Sequence, residues 1–167
     1  MRITYPTTAP IASLLPTDAQ LTELRTIVLA HRPKLAPDVS GKFGYQDEIE
    51  FDRGIAGAFR WLATVGRADE INHRTYLTYW SDCAEQYLSS LGTPATIRGN
   101  ALMVAVLAWG DISYVEGDNF GNVLALALAT YGGKLPTAAS WQRVLKDKQI
   151  LKPTPGRFGA PASSRVV

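Results

Sequence analysis

The stretch Thr93–Trp109, TPATIRGNALMVAVLAW, decides the fold class, because from Ala101 to Trp109 it is apolar on every side. A helix with no polar face must be surrounded by other elements, so this one belongs at the centre of a bundle. Thr93 is a good N-cap, and Pro94 suits the first helical position, where its missing N–H costs nothing; the expected helix is 94–109. Its apolar run is about half of a bilayer span, which argues for a protein core rather than a membrane.

The flanking segments supply the layers around it. In TDAQLTELRTIVLAH, Thr17 stands three residues before Gln20, the spacing of a capping box, and Leu21, Leu24, Val28 and His31 share a face with Ile27 beside them. Pro33 stops that helix. DEIEFDRGIAGAFRWLATVG starts with acidic residues favoured by the helix dipole and puts Ile55, Phe59 and Leu62 on one stripe, while Gly54 and Gly57 would let another backbone approach closely. After Gly66, the segment up to Gly92 carries Leu77, Trp80, Ala84, Tyr87, Leu88 and Leu91 at helical spacing, which sets the longest helix, starting between Asp69 and Asn72 and stopped by Gly92.

Beyond Trp109, GDISYVEGDNFG is a turn-rich connector with a short extended piece at ISYV. NVLALALATYGG alternates Leu and Ala, a strand-like period written in strong helix formers; with no second convincing strand to pair with it, helix is the expectation. Thr137 or Ser140 then caps a short helix carrying Trp141, Val144 and Leu145. The sum is an all-α fold: a single compact bundle of about six helices, with an irregular N-terminal arm (1–16), a helical domain (17–151) and a Pro/Gly-rich basic tail (152–167).

With 167 residues, 46% of them apolar and 19% charged, the chain can close one hydrophobic core without metal or disulfide staples. Prolines 6, 10 and 16 interrupt the apolar region that a secretory signal needs, and the single Cys83 excludes an internal disulfide; the expected location is the cytoplasm.

Catalytic signatures are missing. Glu70 and His73 have the Glu-x-x-His spacing of di-iron bundles, but Val28 occupies the position where His31 would need a matching glutamate. Ten residues of helix would hold Cys83 and His73 roughly 15 Å apart, too far for a thiolate and its base. Asp47, Glu48, Glu50 and Asp52 point in different directions on a helix and are best read as helix-start charges. Counted from Asp111, the calcium-loop pattern fails at Glu116 and Asn122, and neither GDNFG nor YGGK forms a phosphate cradle. No catalytic residue, metal ligand or cofactor is nominated. The tryptophans at 61, 80, 109 and 141 fit core positions better than a surface groove.

Charge is where the chain is uneven. Residues 1–133 carry 10 Lys/Arg against 14 Asp/Glu, whereas 134–167 carry 7 against 1. The candidate contact residues are therefore Gln142, Arg143, Lys146, Lys148, Lys152 and Arg157, with the 33–46 loop as a second candidate surface. The expected function is binding rather than catalysis, most simply as a protein-interaction adaptor or assembly subunit, with a protein partner or self-association expected and no membrane partner. The alternative is DNA binding in a helix-turn-helix-like arrangement: NVLALALATYGG as support helix, then Gln142, Arg143, Lys146 and Gln149 sharing the outer side of a reading helix. ILKPTPGRFG resembles the apolar pair and basic turn that follow the reading helix in winged-helix regulators, in generic residue types that identify no family. A third reading has the basic segment docking on the chain's own acidic surface.

Overall fold

The computed structural model describes residues 11–37, 47–72, 75–114, 126–129 and 132–151. Five α-helices make up most of them: α1 (Asp18–His31), α2 (Glu48–Leu62), α3 (Leu77–Ser90), α4 (Gly99–Trp109) and α5 (Trp141–Lys146). Short 3-10 helices lie at Ile11–Leu14, Pro33–Leu35 and Lys148–Leu151, and two strands, β1 (Arg67–Asn72) and β2 (Leu126–Leu128), form one small antiparallel sheet.

Locally encoded helix starts form as the sequence dictates. The Thr17 N–H donates to Gln20 Oε1 at 2.8 Å and the Gln20 N–H to Thr17 Oγ1 at 3.2 Å, closing the capping box of α1. Asp47 caps α2 by accepting from the Glu50 N–H at 2.7 Å. At the other end of α3, Gly92 adopts φ +77°, the left-handed stop that a side chain resists.

Helix α4 is the centre of the molecule. Every residue from Ala101 to Trp109 is buried, and the helix packs against α1, α2, α3 and α5. Around it α1 contributes Leu24, Ile27 and Val28, α2 contributes Phe51, Ile55, Ala58, Phe59, Trp61 and Leu62, and α3 contributes Trp80, Ala84, Tyr87 and Leu88. All four tryptophans are core residues. The small face of α2 is used as the sequence suggested: a Cβ on Gly54 would sit 3.0 Å from the Thr96 carbonyl oxygen and 3.1 Å from Ala101 Cβ.

Three expectations need correction. First, the central helix begins at Gly99 with Arg98 as N-cap, not at Pro94 after a Thr93 cap. Residues 93–98 run without helix because other bonds outbid the local signal: the Thr93 N–H closes the end of α3 on the Leu88 carbonyl at 3.0 Å, the Ile97 N–H donates to Glu85 Oε1 at 2.9 Å, and Ile97 is buried near Gly57. Second, 67–72 is strand β1, so α3 starts only at Leu77 and, at 14 residues, is one shorter than α2.

Third, the described residues 126–129 of NVLALALATYGG, where a sixth helix was expected, are not helical. Leu126–Leu128 pairs antiparallel with β1, with Leu128 opposite Arg67 and Leu126 opposite Asn72. The extended piece expected in ISYV joins on the other side, through a Tyr114–Leu126 bridge and a 2.8 Å bond from the Ala127 N–H to the Ser113 carbonyl. The period-2 pattern was therefore the true signal. Its partner, RADEIN, has no apolar alternation of its own, and only the tertiary pairing supplies the backbone bonds that a strand requires.

Candidate functional site

Helix α5 is held as its pattern predicts. Trp141 and Val144 are buried, Leu145 is partly buried against the core, and Gln142, Arg143 and Lys146 are exposed on the other side. The following 3-10 helix adds exposed Lys148 and Gln149, while Asp147 spends one carboxylate oxygen on the Gln149 N–H at 3.0 Å. Among the described residues, Arg143, Lys146 and Lys148 form no ion pair. Lys152 and Arg157 lie outside the described residues.

One feature of the sequence reading changes around this helix: in the segment expected as support helix of a helix-turn-helix arrangement, Leu126–Leu128 is strand β2. In the acidic cluster at the start of α2, Asp52 pairs with Arg25 at 3.2 Å, Glu50 pairs with Arg98 at 3.4 Å, and Asp47 accepts from the Glu50 N–H. In the second candidate surface, residues 33–37 begin with a 3-10 helix tied to α4 by a 3.2 Å bond from Asn100 Nδ2 to the Leu35 carbonyl, and 38–46 lie outside the described residues.

A polar centre that the sequence did not reveal surrounds Arg67. Its Nη1 donates to the carbonyls of Leu62, at 2.7 Å, and Val65, at 2.8 Å, just where α2 ends. Nε meets Asp111 Oδ1 at 3.3 Å, and the guanidinium carbon lies 5.3 Å from the Trp109 ring centroid. Burial pulls this arginine below its usual pKa, against the opposing attraction and hydrogen bond of Asp111. The centre therefore joins the end of α2, the end of α4 and β1, which is a structural task. The only hint in the sequence was a charged residue directly after Gly66, in a segment whose period suggested helix.

Candidate catalytic groups are not brought together among the described residues. Glu70 is on β1 rather than on a helix, which removes the geometry of a helical Glu-x-x-His pair, and His73 lies outside the described residues. No group of three or more His, Cys, Asp or Glu side chains is placed to hold a metal ion among them. Cys83 is only 6% exposed; burial pushes its thiol pKa up and Asp82 adds to the push, while a hydrogen bond with Tyr79 acts in the opposite sense.

Because the thiolate is the reacting form, Cys83 in native protein is expected to react with a disulfide reagent at pH 8 on the order of a hundredfold more slowly than in urea. Absorbance kinetics of thiol release measure this directly. Burial also raises Tyr87. For both groups the neutral form is favoured in the fold, so their contribution is complete below about pH 8.5 and is lost as pH rises through the raised folded-state values. The urea midpoint should fall between pH 8 and pH 10, and less so in Cys83→Ala.

Among the described residues no helix is long and apolar enough to cross a membrane. Comparison with protein-family models, curated proteins and solved structures finds no match to this chain.

Proposed function

We propose that the protein is a non-enzymatic binding protein, an adaptor or assembly subunit, that contacts an acidic protein partner through α5 and the basic segment around it. The reading is carried by the exposed Arg143, Lys146 and Lys148, which no carboxylate of the described fold neutralises. Unpaired cations held on a docked helix keep their charge available for a partner and steer its approach. Leu135, 40% exposed and next to Lys134, adds an apolar contact within the same segment. A cytoplasmic setting suits the lone free thiol of Cys83.

Nucleic acid is the second reading, favoured by Gln142, Arg143 and Lys146 sharing the exposed side of α5. It takes the form of backbone contact rather than groove reading, because α5 has only six residues, about 9 Å of helix, and Leu126–Leu128 in the expected support segment is strand β2.

The test compares the full chain with a variant in which Arg143, Lys146, Lys148 and Lys152 are all replaced by Ala. Tagged wild-type protein is expected to retain an acidic protein at moderate salt, with affinity falling about tenfold or more in the variant. Gel shifts with random duplex and single-stranded DNA separate the second reading: there, log affinity falls steeply with log salt, and the variant loses up to about 0.9 from the slope for each phosphate contact removed. Wild type that is monomeric by light scattering, retains no protein and shifts neither DNA would refute both readings.

A further inference from the structure

We infer that the N-terminal residues 11–15 are a strap that holds α5 in place and thereby governs how the basic surface is presented, with Trp141 as the positioning residue. The consequence for binding rests on the function proposed above; the strap itself does not.

Helix α5 cannot persist alone. Six residues are well below the length at which an isolated helix survives in water, and its N-cap Ser140 makes no side-chain capping bond. Its position is therefore set by what covers its inner side. Trp141 is 2% exposed, and its Nε1–H donates at 2.7 Å to the carbonyl of Leu14, 127 residues earlier in the chain. The other tryptophans differ: the indole N–H groups of Trp61, Trp80 and Trp109 are buried with no acceptor. Only Trp141 uses its polar edge to tie two distant segments together. Leu14 and Leu15 pack against the core, as do Ala139, Leu145 and Leu151 on the α5 side, so the strap is apolar contact fixed by one directional bond.

The geometry couples the strap to the outward face of α5. The side chains that α5 buries, Trp141 and Val144, are turned toward α1, α4 and the strap, and this leaves Gln142, Arg143 and Lys146 outward. If the strap leaves, the cations remain in the sequence but lose their common orientation. An N-terminal segment drawn away by a partner, or cut before Pro16, would then weaken the surface without touching any residue on it.

Native-state hydrogen exchange on the full chain tests this. In Leu14→Asp/Leu15→Asp, the amides of Leu145 to Asp147 are expected to exchange about tenfold or more faster than in wild type, with the amides of α2 and α4 unchanged. Trp141→Phe keeps a ring but removes the donor and is expected to accelerate the same amides about fivefold, the worth of one hydrogen bond; it serves also if the double variant fails to fold. The salt needed to elute Trp141→Phe, whose net charge is unchanged, from immobilised heparin, a polyanion probe, should fall although every cation is retained. Unchanged exchange in α5, or acceleration spread evenly over all helices, overturns the strap. Faster α5 exchange with an unchanged elution overturns its control of the surface. Wild type that ignores heparin counts against the proposed binding function, while the exchange data still decide the strap.

Discussion

Arg67→Ala is expected to destabilise the protein by about 3–4 kcal/mol, from the loss of charged hydrogen bonds to two carbonyls together with a partly buried ion pair. The substitution removes the donor that satisfies the Leu62 and Val65 carbonyls, leaves Asp111 facing a vacated site and strips the Trp109 face of its cation. The guanidinium has only 11% of its side-chain surface exposed, so water cannot readily take over these roles. For a chain of 167 residues each kcal/mol moves the melting temperature by about 2–4 °C, so 3 kcal/mol corresponds to a drop of about 6–12 °C in calorimetry. Two further variants sharpen the result. Arg67→Lys keeps the charge without the planar fork and is expected to recover only part of the loss. Arg67→Met with Asp111→Asn removes both charges at similar volume and is expected to be milder than Arg67→Ala, because no unpaired carboxylate remains. A melting temperature for Arg67→Ala within 2 °C of wild type would mean that the centre contributes little to the fold.

Gly66→Ala should be nearly as damaging, by about 3 kcal/mol, although it adds a single methyl group. A Cβ at this position would stand 1.9 Å from the Gly132 carbonyl oxygen and 3.0 Å from Gly133 Cα. Those atoms are backbone, so no side chain can turn aside. To make room, the Gly132–Gly133 segment must lift away, and with it go the paired bonds between Arg67 and Lys134, at 2.8 and 3.1 Å, and the 2.8 Å bond from the Ala129 N–H to the Gly66 carbonyl. Gly92→Ala is the matched control: its φ of +77° is strained for alanine, but nothing lies within 4 Å of the added Cβ, so the expected cost is about 1–2 kcal/mol. Urea unfolding of the two variants separates collision from backbone strain; equal losses would show that the contact at Gly66 relaxes without cost.

Both substitutions strike the junction that was hardest to read from the residues. Helix α1 was legible because Thr17, Gln20 and the apolar positions that follow are all within one segment, and α2 was legible from Asp47 and its stripe for the same reason. The inner and outer sides of α5 followed from Trp141, Val144 and the cations between them, so the exposure of Gln142, Arg143, Lys146 and Lys148 could be anticipated. The start of α4 could not. Thr93 and Pro94 carry a good local signal, yet the chain gains more by extending to bury Ile97 and bond to Glu85.

The sheet shows the limit most clearly. LALAL carried the right period, but alternation in Leu and Ala favours a strand only when a partner is present, and RADEIN reads as polar and helix-compatible by itself. The support helix of the expected DNA-reading arrangement fell with that choice. Arg67 and the Leu14–Trp141 bond were beyond sequence reasoning for a related reason: each is a side chain whose partners are backbone carbonyls, and every residue has one of those.

By itself the sequence determined a mostly helical fold around the apolar Ala101–Trp109 segment, the cap of α1, the acidic start of α2, and the concentration of positive charge after residue 133. A helix satisfies its backbone within its own few turns, so its instructions are local. Only the tertiary structure decided that 67–72 and 126–128 are strands, that α4 waits until Gly99, and that α5 is fastened to the N-terminal segment. Strand bonds, buried ion pairs and side-chain ties to distant carbonyls take their energy from groups far along the chain, and those contacts exist only once the core has brought the segments together.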